Sequence, residues 1–298
     1  MKIVQRSFIP GSKWAYFKIY TGTKTADKIL IHKIPFIVKE LYNNNKIDKW
    51  FFIRYADPDF HLRIRFLLKD DTYWGDSINL FYNHLGSSVR NNLIWKIQLD
   101  TYNRELERYG NNLIEEAETL FCIDSKCTIS LLKKLDEKDE NYRWMIGLYL
   151  INQFLSDFSI DITTKQQWME HWSMAFKTEF GFDMYNSKQF NSKYREHKST
   201  IEQTLKNKIG SADFNALQLP IKKRSKELRP VVSQIQTKLK NQKVKKTSLE
   251  SLLSNYIHMM MNRLFHSKNR QHEMVLYDFM NRYYKSELAK SKLMPVIK

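Results

Sequence analysis

Three arginines and a histidine crowd into one short run, Trp50-Phe51-Phe52-Ile53-Arg54-Tyr55-Ala56-Asp57-Pro58-Asp59-Phe60-His61-Leu62-Arg63-Ile64-Arg65-Phe66. Guanidinium groups stay charged at any working pH and match carboxylate or phosphate oxygens bidentately. A row of them is equipped to hold an anion, and a solvated face with surface ion pairs is the plainer alternative. Arg104 and Arg108, in the charged segment from Thr101 to Gly110, and Lys18, in the aromatic run Trp14 to Tyr20, add further cations. His258 contributes an imidazole, which titrates near neutrality and suits general acid–base work; a core histidine satisfied by a backbone carbonyl is the plainer alternative.

Positioning these groups is a matter of strands first. Asp57-Pro58-Asp59 has turn chemistry, because proline fixes φ and aspartate bonds nearby amides. Alternate residues of a strand share a face. Arg63 and Arg65, with His61, therefore point one way, while Leu62, Ile64 and Phe66 point into a core. Trp14 to Tyr20 is rich in aromatic strand formers, and Trp95 to Asp100 alternates apolar with polar. Thr25 to Tyr42 has helical spacing, with a kink or break at Pro35. Ser77 to Val89 also reads as a helix. From Glu115 the pattern turns helical, most clearly over Glu140 to Phe158 and Lys165 to Phe180.

Thr247 and Glu250 fit a capping box that opens a C-terminal helix. Leu249, Leu252, Leu253, Tyr256, Ile257, Met260 and Leu264 form its apolar stripe. His258 falls nearly opposite, beside Met261, Asn262 and Phe265, so the helix is buried on most sides and His258 lies inside the protein or lines a cleft. Arg263 falls near the main stripe and is expected to be ion-paired. The segment from 188 to 246 is polar and basic, is interrupted by Pro220 and Pro230, and reads as a mobile or linking region. The expected fold is α+β: a mixed or antiparallel sheet in the N-terminal part, 1–110, packed with a predominantly helical part, 111–298, as a single domain.

Composition narrows the function. The 298 residues are 42% hydrophobic and 14% aromatic, enough for a substantial core. With eight glycines and no Gly-x-Gly-x-x-Gly or P-loop run, dinucleotide and P-loop sites are excluded. The net charge of +17 favours an acidic partner, whether nucleic acid, an anionic membrane or a protein surface; a solvated lysine-rich helical face is the plainer reading. Cys122 and Cys127 match no zinc or redox spacing, though they could form one disulfide. No apolar run is long enough to span a bilayer and no signal peptide is evident, so a reducing cytoplasm is the expected setting.

Taken together, several motifs resemble the family of lantibiotic-dehydratase C-terminal domains and their free-standing relatives, the thiopeptide-type bacteriocin biosynthesis proteins. They are Pro10-Gly11-Ser12-Lys13-Trp14 with Tyr16 to Tyr20, the hairpin from Trp50 to Phe66, and Asp100-Thr101-Tyr102 with Arg104-Glu105 and Arg108-Tyr109-Gly110. Ala117-Glu118, Leu120-Phe121, Asp124-Ser125, His258-Met259-x-x-Asn262-Arg263-Leu264-Phe265 and Tyr277-Asp278-Phe279 with Arg282-Tyr283-Tyr284 complete the set. The match is weakest between Lys188 and Lys246.

The resemblance implies a carbon–oxygen lyase that removes glutamate from glutamylated Ser or Thr of a ribosomally made precursor peptide, leaving dehydroalanine or dehydrobutyrine. The chain would be the elimination half of a split dehydratase. Its partners would be the precursor and a glutamylation-domain protein that uses glutamyl-tRNA, with a homodimer left open. No metal or cofactor is implied. The residues expected to carry the chemistry are His258, Arg65 and Arg104, with Arg63, Arg54, Arg108, Lys18 and Asn262 at the substrate. Arg54 and Arg108 are also candidates for structural ion pairs, and Lys18 is an alternative base. Two other readings stand beside this one. The first is a thiopeptide pyridine synthase, or macrocyclase, acting on a dehydrated peptide. The second is a non-catalytic peptide- or RNA-binding partner subunit.

Overall fold

The computed structural model of the chain describes residues 4–135, 141–241 and 248–293. By compactness the chain divides into two units, Met1–Asp136 with Glu227–Ser267, and Glu137–Lys226 with Lys268–Lys298. The division therefore differs from a single domain parted near residue 110: the early strands share a unit with the late helix that carries His258.

In the first unit, β1 (Ser7–Phe8), β2 (Trp14–Thr21), α1 (Thr23–His32), α2 (Ile34–Asn43), β3 (Ile47–Ala56) and β4 (Phe60–Leu68) come first. They are followed by α3 (Trp74–Arg90), β5 (Ile94–Leu99), β6 (Tyr102–Asn103), α4 (Leu106–Tyr109) and α5 (Ile114–Leu135). The expected helix over 25–42 is thus two helices, broken at Lys33 with Pro35 in the first turn of α2, where its missing N–H costs nothing. The main sheet is antiparallel with strand order β3-β4-β2-β5, and β1 pairs with β6 in a second small ladder. Register sets Arg65 opposite Tyr16 and Phe51, and Arg63 opposite Lys18 and Ile53. Opposite residues share a face, so the arginines, Tyr16, Lys18 and Phe51 lie together. The other face is the core: Leu62, Ile64 and Phe66 are fully buried there with Phe17, Phe52, Phe81 and Leu85.

The late helix of this unit, α10, spans Leu249–Leu264. Its cap is Ser248, whose Oγ accepts from Ser251 N–H at 3.1 Å. The capping residue is thus one position later than the Thr-x-x-Glu pattern suggests, and Thr247 lies outside the described residues. Leu252, Leu253, Tyr256, Ile257, Met260 and Leu264 are buried as expected, and so are Met261 and Phe265 on the other side.

The second unit is helical: α6 (Asn141–Asp157), α7 (Ile162–Glu179), α8 (Met184–Leu205), the first part of α9 (Ala212–Lys240) and α11 (Asn269–Leu293). Asp161 caps α7 by accepting from the Thr163 and Thr164 amides. Trp172 and Phe176 pack on Tyr277, and Tyr284 donates to Asn152 at 2.8 Å. The segment expected to be a linker is thus largely two long helices. Pro220 and Pro230 sit inside α9, whose buried Phe214, Leu217, Ile221, Leu228 and Val232 offset the roughly 3 kcal/mol a mid-helix proline costs. Residues 242–247, at the end of that segment, lie outside the described residues.

Candidate active site

On the polar face of the main sheet, Arg65 is 7% exposed and ringed by aromatics. Its guanidinium carbon stands 4.4 Å from the Tyr16 ring centre, 4.7 Å from Tyr102 and 5.3 Å from Phe51. Its Nε has no hydrogen-bond partner, and no carboxylate lies within ion-pair distance of it among the described residues. A desolvated cation held by π faces is strongly disposed to take an anion. It borders an open pocket whose other walls include Phe51, Tyr102, Glu105, Tyr109, Met259 and Arg263.

The other expected cations are engaged. Arg104 closes its fork on Glu118, Nε to Oε1 at 2.6 Å and Nη2 to Oε2 at 2.7 Å, and gives Nη1 to the Gln5 carbonyl at 3.2 Å. Burial works against the charge of Arg104, but Glu118 outweighs it and raises the pKa. Tyr102 donates to the same Glu118 at 3.1 Å; burial first, then that carboxylate, hold its hydroxyl well above the ordinary phenol range. Arg104 and Glu118 therefore fix the ring that flanks Arg65.

Arg63 donates from Nε to His61 Nε2 at 3.0 Å and lies 3.4 Å over the Tyr55 ring centre. Since Nε2 accepts, His61 carries its proton on Nδ1 and donates it to the Asp59 carbonyl at 2.8 Å. Burial, aided by the Arg63 and Lys18 charges, lowers the His61 pKa despite that bond. Lys18 is ion-paired with Asp100. Burial opposes ionisation of Asp100, yet Lys18 and the Thr101 amide overcome it and lower its pKa. Arg108 is a surface partner of Glu105 at 3.2 Å.

Arg54 and Asn262 serve the scaffold. Arg54 pairs across the ladder with Leu62 and so faces the core side, away from Arg65. Its Nη2 meets Asp27 at 2.5 Å, and its Nε donates to the Arg263 carbonyl at 3.0 Å. Asn262 accepts from the Arg54 amide at 2.9 Å and donates to the Arg54 carbonyl at 2.7 Å, while Arg263 Nε donates to the Phe52 carbonyl at 2.8 Å. Side chains of α10 thereby take over the hydrogen bonds of the outer edge of β3. Arg263 is ion-paired, as its place on the stripe implies, with Asp124 at 3.0 Å. Burial lowers the Arg263 pKa, with Asp124 acting against it.

His258 is half-buried, one turn before Asn262 and next in sequence to Met259, which lines the pocket; His258 itself is not part of the lining. The structure thus gathers Arg65, Arg63 and Lys18 on one sheet face with Arg104 supporting them, and sets Arg54 and Asn262 apart. Sequence reading passed over Asp27 and its second partner, His266, at 2.5 Å. It also passed over the caging role of Tyr16, although Tyr16 and Lys18 alternate along β2 in a pattern that signalled a shared face. Among the described residues, no group of three or more His, Cys, Asp or Glu side chains is placed to hold a metal ion, and no helix is long and apolar enough to cross a membrane. Cys122 and Cys127 are separate buried thiols.

A family model described as the C-terminal part of lantibiotic biosynthesis dehydratases matches residues 14–284. The subtilin biosynthesis protein SpaB of Bacillus subtilis is 28% identical over 179 residues, 59% of this chain but only 17% of SpaB. Among solved structures, the tRNA-dependent lantibiotic dehydratase MibB from Microbispora sp. 107891 superposes with a TM-score of 0.77 at 19% identity, covering 95% of this chain and 29% of MibB. The pyridine synthase TbtD from thiomuracin biosynthesis superposes with a TM-score of 0.69 at 9% identity, covering 94% of this chain and 100% of TbtD. At such identities the two structures carry the fold and no more.

Proposed function

The chain belongs to the lantibiotic biosynthesis dehydratase C-terminal family, and from that premise we propose that it eliminates glutamate from glutamylated Ser or Thr of a precursor peptide. The observation that carries this reading is Arg65, a desolvated guanidinium in an aromatic cage whose charge no carboxylate of the described residues answers.

β-Elimination takes a proton from Cα, forms the Cα–Cβ double bond, and breaks the bond from Cβ to the ester oxygen. The electron pair of that bond leaves on the glutamate carboxylate. Arg65 meets the charge that grows on this carboxylate, the kind of stabilisation that is stronger in the transition state than in the bound ester. Arg63 extends the positive field along the sheet face, Lys18 is neutralised by Asp100, and Arg104 acts through Glu118 and Tyr102 as a positioning residue. Proton transfer is assigned to His258 on the family resemblance and on its place next to Met259, which lines the pocket. Supply of the glutamyl ester falls to a separate glutamylating protein.

The test is to incubate the purified chain with a glutamylated precursor and follow the mass loss of glutamate. We expect a dehydro residue to form, and His258→Ala to slow it by about 10²- to 10⁴-fold. Turnover only of an already dehydrated linear peptide would replace elimination with pyridine formation. No turnover of either, with binding of peptide or RNA alone, would leave a non-catalytic subunit.

A further inference from the structure

The two tyrosines that flank Arg65 differ at their hydroxyls. Tyr102 donates to Glu118 at 3.1 Å. Tyr16 is only 3% exposed, yet its hydroxyl makes no hydrogen bond with any described residue, and its oxygen keeps a sliver of contact with solvent. Buried tyrosine hydroxyls ordinarily find a partner. The cage around Arg65 does not account for this one, because a phenylalanine would turn the same π face to the guanidinium.

Register makes Tyr16 the uncharged corner of a square on the sheet face, with Tyr16 opposite Arg65 and Lys18 opposite Arg63. Arginine and lysine side chains donate hydrogen bonds and cannot accept them. Asp100, the carboxylate whose charge reaches Tyr16, already accepts from Lys18 and from the Thr101 amide at 2.7 Å. Burial holds the Tyr16 phenol above its ordinary pKa against the pull of Arg65, Arg63 and Lys18, so its proton is in place at neutral pH. That proton has no acceptor among the described residues around it. An anion set against Arg65 supplies one, since it accepts from guanidinium and phenol together.

We propose that the Tyr16 hydroxyl donates a hydrogen bond to the carboxylate that Arg65 holds, which makes Tyr16 a further catalytic residue for loss of glutamate. The assignment rests on the elimination reading above. As the bond from Cβ to the ester oxygen breaks, its electron pair settles on that oxygen of the departing glutamate. The phenol shares its proton with the oxygen and does not surrender it. Such O–H···O⁻ bonds are roughly twice as strong as neutral ones and tighten as charge develops. Tyr102 is unsuited to the task, because its proton is given to Glu118.

The experiment uses Tyr16→Phe, which keeps the ring over Arg65 and removes only the hydroxyl. With the glutamylated precursor, the variant should lower kcat about 10- to 100-fold. With free L-glutamate, titrated by calorimetry into the full chain, it should raise Kd by a similar factor. Its thermal midpoint should not fall, because a hydroxyl without a partner contributes nothing to the free protein. A tyrosine that only shapes the cage would leave kcat and Kd unmoved. Glutamate binding requires no elimination, so the two readings fail separately. A native chain that binds glutamate but releases none from the precursor overturns the elimination reading, while the ratio of Kd values still decides the Tyr16 contact. The proposal is overturned by equal Kd values for the native chain and Tyr16→Phe, by a native chain that does not bind glutamate at millimolar concentration, or by elimination at the native rate in Tyr16→Phe.

Discussion

At the scale of single residues, the contrast between Arg65 and Arg104 decides the account. Both are 7% exposed, yet one is caged by rings and the other is bonded to a carboxylate. Replacing Arg104 by Gln strands a buried Glu118, so it should destabilise the fold by about 3–5 kcal/mol in a denaturant titration. Because Glu118 and Tyr102 lose their anchor beside Arg65, the folded fraction of the variant should also turn over more slowly than the native chain, with a lower kcat. His61 gives a second residue-level expectation. Its folded pKa lies below the ordinary value of 6.5, so the unfolded chain binds more protons as pH falls through that value. Stability contributed by His61 is therefore complete above about pH 6.5 and lost progressively below it. His61→Gln should flatten that part of a stability-against-pH curve. The alternation that put Arg63 and Arg65 on one face was legible in the sequence. Their partners were not, because Tyr16 and Tyr102 come to Arg65 only through strand order and register.

At the scale of elements, α10 is a clip on the edge of β3. Asn262→Ala removes two hydrogen bonds to the Arg54 backbone and should cost about 1–3 kcal/mol, with KM for the peptide unchanged in the folded fraction. Asp27→Asn takes the countercharge from a 3%-exposed Arg54 and should cost about 3–5 kcal/mol, measured the same way. Periodicity anticipated the strands of the hairpin, the break near Pro35 and the stripe of α10, since each rests on local pattern. It misread α9, where two prolines and a basic surface signal a linker but burial on one face sustains a helix. The Asp27–Arg54 and Arg104–Glu118 pairs were out of reach for a different reason: topology, not spacing, selects a partner.

At the scale of the whole molecule, the chain has one unit that holds the sheet, the Arg65 pocket and α10, and a second that is helical. Its match spans 17% of SpaB and 29% of MibB. The activity claimed for it is loss of glutamate, and the cage around Arg65 offers a direct way to test that claim. Arg65→Ala removes the guanidinium and leaves the rings of Tyr16, Tyr102 and Phe51 facing a gap. With a glutamylated precursor and mass detection of released glutamate, the variant should eliminate about 10²- to 10³-fold more slowly than the native chain. Added guanidinium ion should restore part of the rate. Elimination by Arg65→Ala at the native rate would contradict the account.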